Sequence, residues 1–559
     1  MFIKRSWSQR GGNKHVTYQI AESYRNEAGK PRQRILLHLG SADRFLEKDV
    51  DNLINGLLKV KGLTLEELDT GAERVASFGQ IWALIKLWKD LKLTQAIAKA
   101  AKGRRIKFDL EGHIKSLVFN RLDDPGSKLR LLTWLEAVYI PGVDRENIRY
   151  EYLLRGMDFL IENKRIIEDK VAGRLLTLFD TEVKVCLYDI TSSYFEAEAS
   201  LVEDDIRQKG YSRDKRWDRE QILVGIVMTK EGLPLAHYVF SGNTVDSATL
   251  QEVTEDIRSR FGVEKVTIVA DKGMVLGDNL KFLVEGGQEF ILGESARKTK
   301  VAREVIAEAS EKRKREGVEE EYVYTAEKEK VTKVNIGDKK RQYKVGLRYV
   351  ACYNPKVAFK KYQTRTARIA EALDKIEEIK QKEISLEDQY SQIQGYLKRK
   401  HLSRFFRVKL GKKEIRIEQV EKEIVYEKEA DGWFVVITTD RKTGKQAIIA
   451  RYKDLKYVEH GFMELKHSLE LRPDFHWTEK RIRAHVFVCF LAFQLAVLFE
   501  KRLEPLKLSW EKAMEKLKRI QVIEWEADGR ARQALVKTRP AQMQIFKAVG
   551  TVKPTLASL

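Results

Sequence analysis

Two rhythms of apolar residues alternate along this chain. The stretch HVTYQI at 15–20 alternates apolar and polar positions, Gly29, Lys30 and Pro31 interrupt it, and Ile35, Leu37 and Leu39 alternate again. A period of two on both sides of a break predicts a β-hairpin over 15–40. Between 44 and 178 the spacing changes to about 3.6, as in IWALIKLWKDLKLTQAIAKA and LRLLTWLEAVY, and predicts helices.

From residue 183 short apolar blocks take over. VKVCLYD reads as a strand ending in an acid. QILVGIVMT and LPLAHYVF read as two strands joined by a turn at Lys230, Glu231 and Gly232. In DSATLQEVTEDIRSRFG the residues Leu250, Val253, Ile257 and Phe261 share a helical face, with Asp246 or Ser247 to start the helix and Gly262 to end it. VTIVAD is a second acid-terminated strand, followed by a helix at 279–284 and the strand EFILG. The order β-β-β-α-β-α-β predicts a mixed sheet covered by helices. The right-handed crossover brings VTIVAD alongside the first strand or close to it, and acids ending neighbouring strands would converge at one edge of the sheet. This order resembles the ribonuclease-H-like arrangement.

The expected class is therefore α/β, a ribonuclease-H-like mixed sheet flanked by helices. The expected divisions are an N-terminal β-hairpin region (1–75), a helical, DNA-binding candidate domain (76–178), a first core part (179–294), an α+β insertion subdomain (295–431), a second core part (432–500) and a helical C-terminal region (501–559). The insertion is too long to be a structureless loop. It carries EKRKREG, the alternating YKVGLRYVACY and a charged helical stretch at 364–399.

Composition narrows the function. Lys and Arg number 104 against 83 Asp and Glu, a net charge of +21. Such an excess favours a polyanionic partner, because each neutralised phosphate releases condensed counterions. A basic cluster at Lys102, Arg104, Arg105 and Lys107 fits a DNA-end-binding surface or a solvated loop on a helical scaffold. Lys398, Arg399, Lys400, Arg404, Arg407 and Lys409, interleaved with Phe405 and Phe406, fit a backbone grip or a solvated helix pair with two packed aromatics. The three cysteines, Cys186, Cys352 and Cys489, form no CxxC pair, which argues against a zinc site or disulfide framework and fits a reducing cytoplasm. The most apolar run, 484–499, is shorter than the ~20 residues of a membrane span and reads as a buried core helix. His460, His467, His476 and His485 do not share one helical face, which argues against a histidine metal cluster.

Phosphodiester attack needs an activated oxygen nucleophile and a stabilised leaving oxygen. Two magnesium ions about 4 Å apart, held mainly by carboxylates, supply both. Asp189 follows Val183, Val185 and Leu187 on one strand face, where an acid needs a reason; an Asx-type turn is the structural alternative. Asp271 ends VTIVAD before Gly273, which also fits a common turn. Glu459 lies in IIARYKDLKYVEHGFMELKHSLEL, expected as one helix. There Tyr452, Glu459 and Lys466 recur every seven residues and line one face over ~21 Å. A solvated helix face gives the same spacing.

These pieces resemble the DDE transposases of bacterial insertion sequences, in the insertion-sequence-four group. The matching segments are LYDITSSYFE, GYSRDKRWDREQILVGIV with GLPLAHYVFSGNTVD, VADKGM, and YKDLKYVEHGFMELKHSLELRPDFHW with RIRAHVFVCFLAF. The group's Y-x2-R-x3-E-x6-K signature meets Tyr452, Glu459 and Lys466 here. Leu455 occupies the arginine place, with Lys456 adjacent.

The resemblance implies that Asp189, Asp271 and Glu459 hold two Mg2+ ions, with Mn2+ as a substitute. Water then attacks at a transposon end, and the freed 3′-hydroxyl attacks target DNA. Tyr452 and Lys466 would contact phosphates near the scissile bond, and Lys456, Arg472, Arg481 and Arg483 would meet DNA around it. Double-stranded DNA, a homodimer on it and a cytoplasmic, nucleoid-associated setting follow from the same resemblance. A nuclease without strand transfer and an inactive DNA-binding relative are the alternatives.

Overall fold

A computed structural model describes the chain apart from residues 1, 11–12, 27–29, 42–71, 197–204, 213–215, 262–266, 272–276, 298, 337–338, 528–529 and 559. The described chain divides into two compact units. The first comprises Met1–Ser77, Ile520–Lys537 and Thr555–Leu559. It contains the expected hairpin as strands β2 (Asn13–Arg25) and β3 (Pro31–Ser41), joined by an unanticipated outer strand, β1 (Phe2–Arg10). A second sheet is formed by β4 (Ala72–Ser77) with two strands from the far end of the chain.

The larger unit comprises Phe78–Arg519 and Thr538–Pro554. It opens with six helices: α1 (Gly79–Asp90), α2 (Leu93–Ala101), α3 (Leu110–Asp123), α4 (Lys128–Ala137), α5 (Tyr150–Glu162) and α6 (Lys164–Leu178). Next come β5 (Val185–Tyr194), β6 (Gln221–Thr229), β7 (Pro234–Ser241), α7 (Asp246–Phe261), β8 (Thr267–Ala270), α8 (Gly277–Glu285) and β9 (Phe290–Glu294), in the expected order. Leu250, Val253 and Ile257 of α7 are buried, as their spacing requires. β8 lies parallel to β5, as the crossover rule demands, and β9 parallel to β8.

The insertion is less separate than expected. After α9 (Lys300–Arg315), the long strands β10 (Tyr322–Ile336) and β11 (Lys339–Tyr353) join the core sheet, because β11 pairs with the returning strand β14 (Trp433–Thr438). The eight-stranded sheet runs β10-β11-β14-β9-β8-β5-β6-β7. What stands apart is a small cluster formed by α10 (Pro355–Lys380), α11 (Leu386–Arg399) and the hairpin β12 (Phe406–Leu410) and β13 (Ile415–Gln419). Ile376, Ile379, Ile393, Leu397, Phe405 and Phe406 fill its core. The two phenylalanines are thus packed aromatics, and Arg404 pairs with Glu427 at 2.6 Å.

After α12 (Glu421–Ala430) and β14, the chain forms α13 (Lys445–Lys453) and α14 (Lys456–Met463), and later α15 (Glu479–Leu503). Among the described residues, the helix starting at Glu479 is the one long and apolar enough to cross a membrane, and 89% of its apolar stretch is buried inside the protein. It packs against α3, α5 and β7 as a core helix. Its buried Gln494 donates to the Pro234 carbonyl at 3.1 Å.

The expected all-helical C-terminus is corrected. Between α16 (Trp510–Leu517) and α17 (Pro540–Val549) lie β15 (Gln521–Ala527) and β16 (Arg530–Leu535), and β15 pairs with β4. The alternation of VIEWEA before an Asp-Gly pair is the hairpin signal in the sequence.

Candidate active site

Backbone register sets the first two acids. Along β5, Cys186, Tyr188 and Ile190 point into a large hydrophobic core cluster, so Val185, Leu187 and Asp189 share the opposite face. The parallel ladder between β5 and β8 ends at the pair Tyr188↔Ala270. Asp189 and Asp271 are each the next residue, so both acids follow the last parallel rung on the same face. Asp189 therefore does not end its strand. β5 continues to Tyr194, paired antiparallel with β6, and the acid stands mid-strand where the parallel neighbour stops. Both acids are half-buried.

The third acid arrives on a helix that packs on β5 and β6. The expected continuous helix is three helical pieces: α13, then after a turn at 454–455 α14, and then a π-helical turn, Glu464–Ser468. Glu459 lies in the first turn of α14 and is exposed. Gly461 permits the close approach of that helix. A Cβ there would fall 2.7 Å from the Phe493 ring and 3.5 Å from Met228 Sδ of β6. The seven-residue stride breaks before Lys466, because the wider π turn holding it departs from 3.6 residues per turn. Leu455, where the expected signature has arginine, is buried in the turn before α14.

Tyr452, from α13, reaches the second acid. Its hydroxyl donates to Asp271 Oδ1 at 3.1 Å, and its ring stacks on Phe434 at 5.7 Å. Burial raises its pKa first, and the Asp271, Asp189 and Glu459 carboxylates raise it further, so the phenol stays protonated as a donor. Glu464, the nearest alternative third acid, is buried instead against Trp510, whose indole donates to it at 3.2 Å.

The basic candidates divide. Lys456 is exposed, with its ammonium 5.1 Å from the Tyr457 ring centre. The Arg472 guanidinium lies 4.8 Å from the ring of Tyr194, the last residue of β5, with Arg216 over the same ring at 5.0 Å. No role was expected for Tyr194 or Arg216, because nothing in their sequence spacing links them to Arg472. Arg481 pairs with Asp158 at 3.6 Å. Arg483 donates to the Val239 carbonyl at 2.5 Å and to Glu479 at 2.7 Å. Arg104 of the basic cluster binds Glu162 at 2.8 Å. Trp217 and Trp477 are exposed.

Among the described residues no three His, Cys, Asp or Glu side chains are gathered tightly enough to ligate one ion. The acids around Tyr452 are nonetheless an all-oxygen donor set, which suits a hard divalent cation rather than a soft one.

Residues 180–495 match the family model described as the transposase DDE domain, which spans more than half of the chain. The chain belongs to the DDE transposases and acts on DNA. Residues 3–67 match the model of the N-terminal domain of IS1634 family transposases. A comparison with curated proteins finds no match.

Proposed function

We propose that this transposase cleaves the ends of its element and joins the freed 3′-hydroxyl to target DNA, with Asp189, Asp271 and Glu459 as the carboxylates that hold two divalent ions. The observation that carries the reading is the parallel register of β5 and β8, which sets Asp189 and Asp271 side by side just past its last rung, with the Tyr452 hydroxyl hydrogen-bonded to Asp271. When bound, Mg2+ ions supply charge neutralisation at the phosphoryl oxygens and a more acidic attacking water. Asp189 and Asp271 would hold an ion on the rigid sheet, and Glu459 would close the site from α14. Tyr452 orients the Asp271 carboxylate through its hydrogen bond. Lys466, Lys456 and Arg472 would contact phosphates, and Arg481 and Arg483 would do so after exchanging their present partners. The finer kinship with the insertion-sequence-four group rests on Tyr452, Glu459 and Lys466. Pairing two element ends implies a dimer on DNA, in the cytoplasm at the nucleoid.

The test incubates the protein with Mg2+ and duplex DNA carrying the element ends. Nicking followed by joining is expected, and Asp189→Asn, Asp271→Asn and Glu459→Gln should each lower cleavage on the order of 10^3-fold. Nicking without joining would favour a nuclease. Full activity in Glu459→Gln would remove the third ligand.

A further inference from the structure

Behind the catalytic helix lies a buried polar hub that the proposed chemistry does not use. Arg121 of α3, Lys128 of α4, Asp474, and His485 of α15 are each at least nine-tenths buried. Lys128 Nζ is 2.9 Å from His485 Nδ1, and His485 Nε2 is 3.1 Å from the Leu471 carbonyl. A carbonyl only accepts, so Nε2 carries the ring proton and Nδ1 accepts from Lys128. This assignment needs a neutral imidazole, and burial together with the Lys128 and Arg121 charges holds His485 well below its usual pKa. Arg121 donates to the Glu470 carbonyl at 3.2 Å, and the Leu471 amide donates back to Leu465 at 2.8 Å. Asp474 accepts from the His476 amide at 2.9 Å.

Both carbonyls immediately preceding Arg472 are therefore held from inside the protein. Burial pushes the Lys128 ammonium well below and the Asp474 carboxyl well above their usual pKa, so holding these groups inside is costly, and apolar residues would pack the same space more simply. The cost has a use if the backbone at 470–471 must be fixed. That backbone delivers Arg472 onto Tyr194, five residues beyond Asp189 on β5 and, by strand alternation, on the other face. So placed, Arg472 suits a phosphate away from the scissile bond rather than the scissile phosphate itself.

We propose that Lys128 is a positioning residue for DNA binding, which through His485 fixes the Leu471 carbonyl and so sets Arg472 against a flanking phosphate. The inference rests on the reading of Arg472 as a phosphate contact. The test measures KM, kcat and salt dependence on element-end duplex for the full-length protein. Lys128→Met should raise KM about 10-fold with kcat within about twofold, and lower the salt slope by about 1. Arg472→Gln should do the same, and the double variant should be no worse than either single. His485→Gln, whose amide keeps a donor and an acceptor, should bind as the unaltered protein does, and His485→Leu should match Lys128→Met.

If Arg472→Gln weakens binding while Lys128→Met does not, the positioning role is overturned and the phosphate contact stands. If Arg472→Gln leaves binding unchanged, both fall. Should Lys128→Met fail to fold, the histidine pair decides, and His485→Leu binding as tightly as His485→Gln overturns the proposal.

Discussion

The sheet-borne and helix-borne halves of the candidate site are held by different forces. Asp189 and Asp271 inherit their proximity from backbone register: two parallel strands share four rungs, and each acid is the next residue. Glu459 inherits its place from side-chain packing, through a helix that lies on β5 and β6 and packs closely on Phe493 of α15 because Gly461 has no Cβ. Register is all-or-none, since a slip of one residue turns every side chain to the other face. Packing is graded, and a displaced helix carries its acid with it. The sheet half should therefore resist perturbation until the fold fails, whereas the helix half should lose activity first.

The largest effect is expected where the sheet half is anchored. Glu168 of α6 is fully buried, accepts from His237 of β7 at 2.7 Å and pairs with Arg260 of α7 at 2.8 Å. Burial pushes its carboxyl up, but the Lys164, His237 and Arg260 charges outweigh this and bring it down to about 2. Burial, with the Lys164 charge, brings His237 down to about 4. Both folded pKa values lie below their ordinary values of 4.5 and 6.5. Both groups thus contribute stability that is present at neutral pH and is lost on acidification. The His237 contribution fades from about 6.5 to about 4, and that of Glu168 from about 4.5 to about 2. Glu168→Gln should cost about 3–5 kcal/mol at pH 7 in denaturant unfolding, because it leaves Arg260 buried with less compensation. The deficit should shrink as the pH falls, and a deficit independent of pH would contradict the ionised pairing.

Gly461→Ala separates the halves. Helix propensity alone would add up to about 1 kcal/mol of stability. The contact with Phe493 forces the ring or the helix to move, so cleavage should fall about 10-fold while the melting temperature stays within a few degrees. Unchanged cleavage would mean that Glu459 tolerates displacement. Tyr452→Phe is milder: without its donor to Asp271, kcat should fall about threefold to 10-fold with DNA binding nearly unchanged, read in single-turnover cleavage.

The contrast also explains what the sequence made legible. Apolar blocks ending in acids were readable as strands, and the crossover rule put VTIVAD beside or close to the first strand, the structure making the two direct neighbours. Residue alternation could not tell that β5 runs on past Asp189, because its continued pairing comes from β6. Glu459 was readable through family resemblance, since a heptad of charged residues also describes a solvated face. The break at 454–455 and the π turn at Lys466 left no signal in spacing alone, because apolar periodicity does not distinguish one continuous helix from helical pieces that carry the same stripe. The buried hub at Lys128 was hidden for a related reason. Its members come from α3, α4, the 470–474 segment and α15, and only the fold brings them together.

The central claim is that Asp189, Asp271 and Glu459 touch metal, and metal-specific rescue tests it most directly. Asp271→Cys replaces a hard oxygen with a softer sulfur that holds Mg2+ poorly and Mn2+ better. Cleavage of element-end DNA should fall on the order of 10^3-fold in Mg2+ and recover at least about 10-fold when Mn2+ replaces it. The same recovery should appear in Asp189→Cys and not in Tyr452→Phe. Equal loss in both metals for both cysteine variants, with the fold intact, would contradict direct ligation.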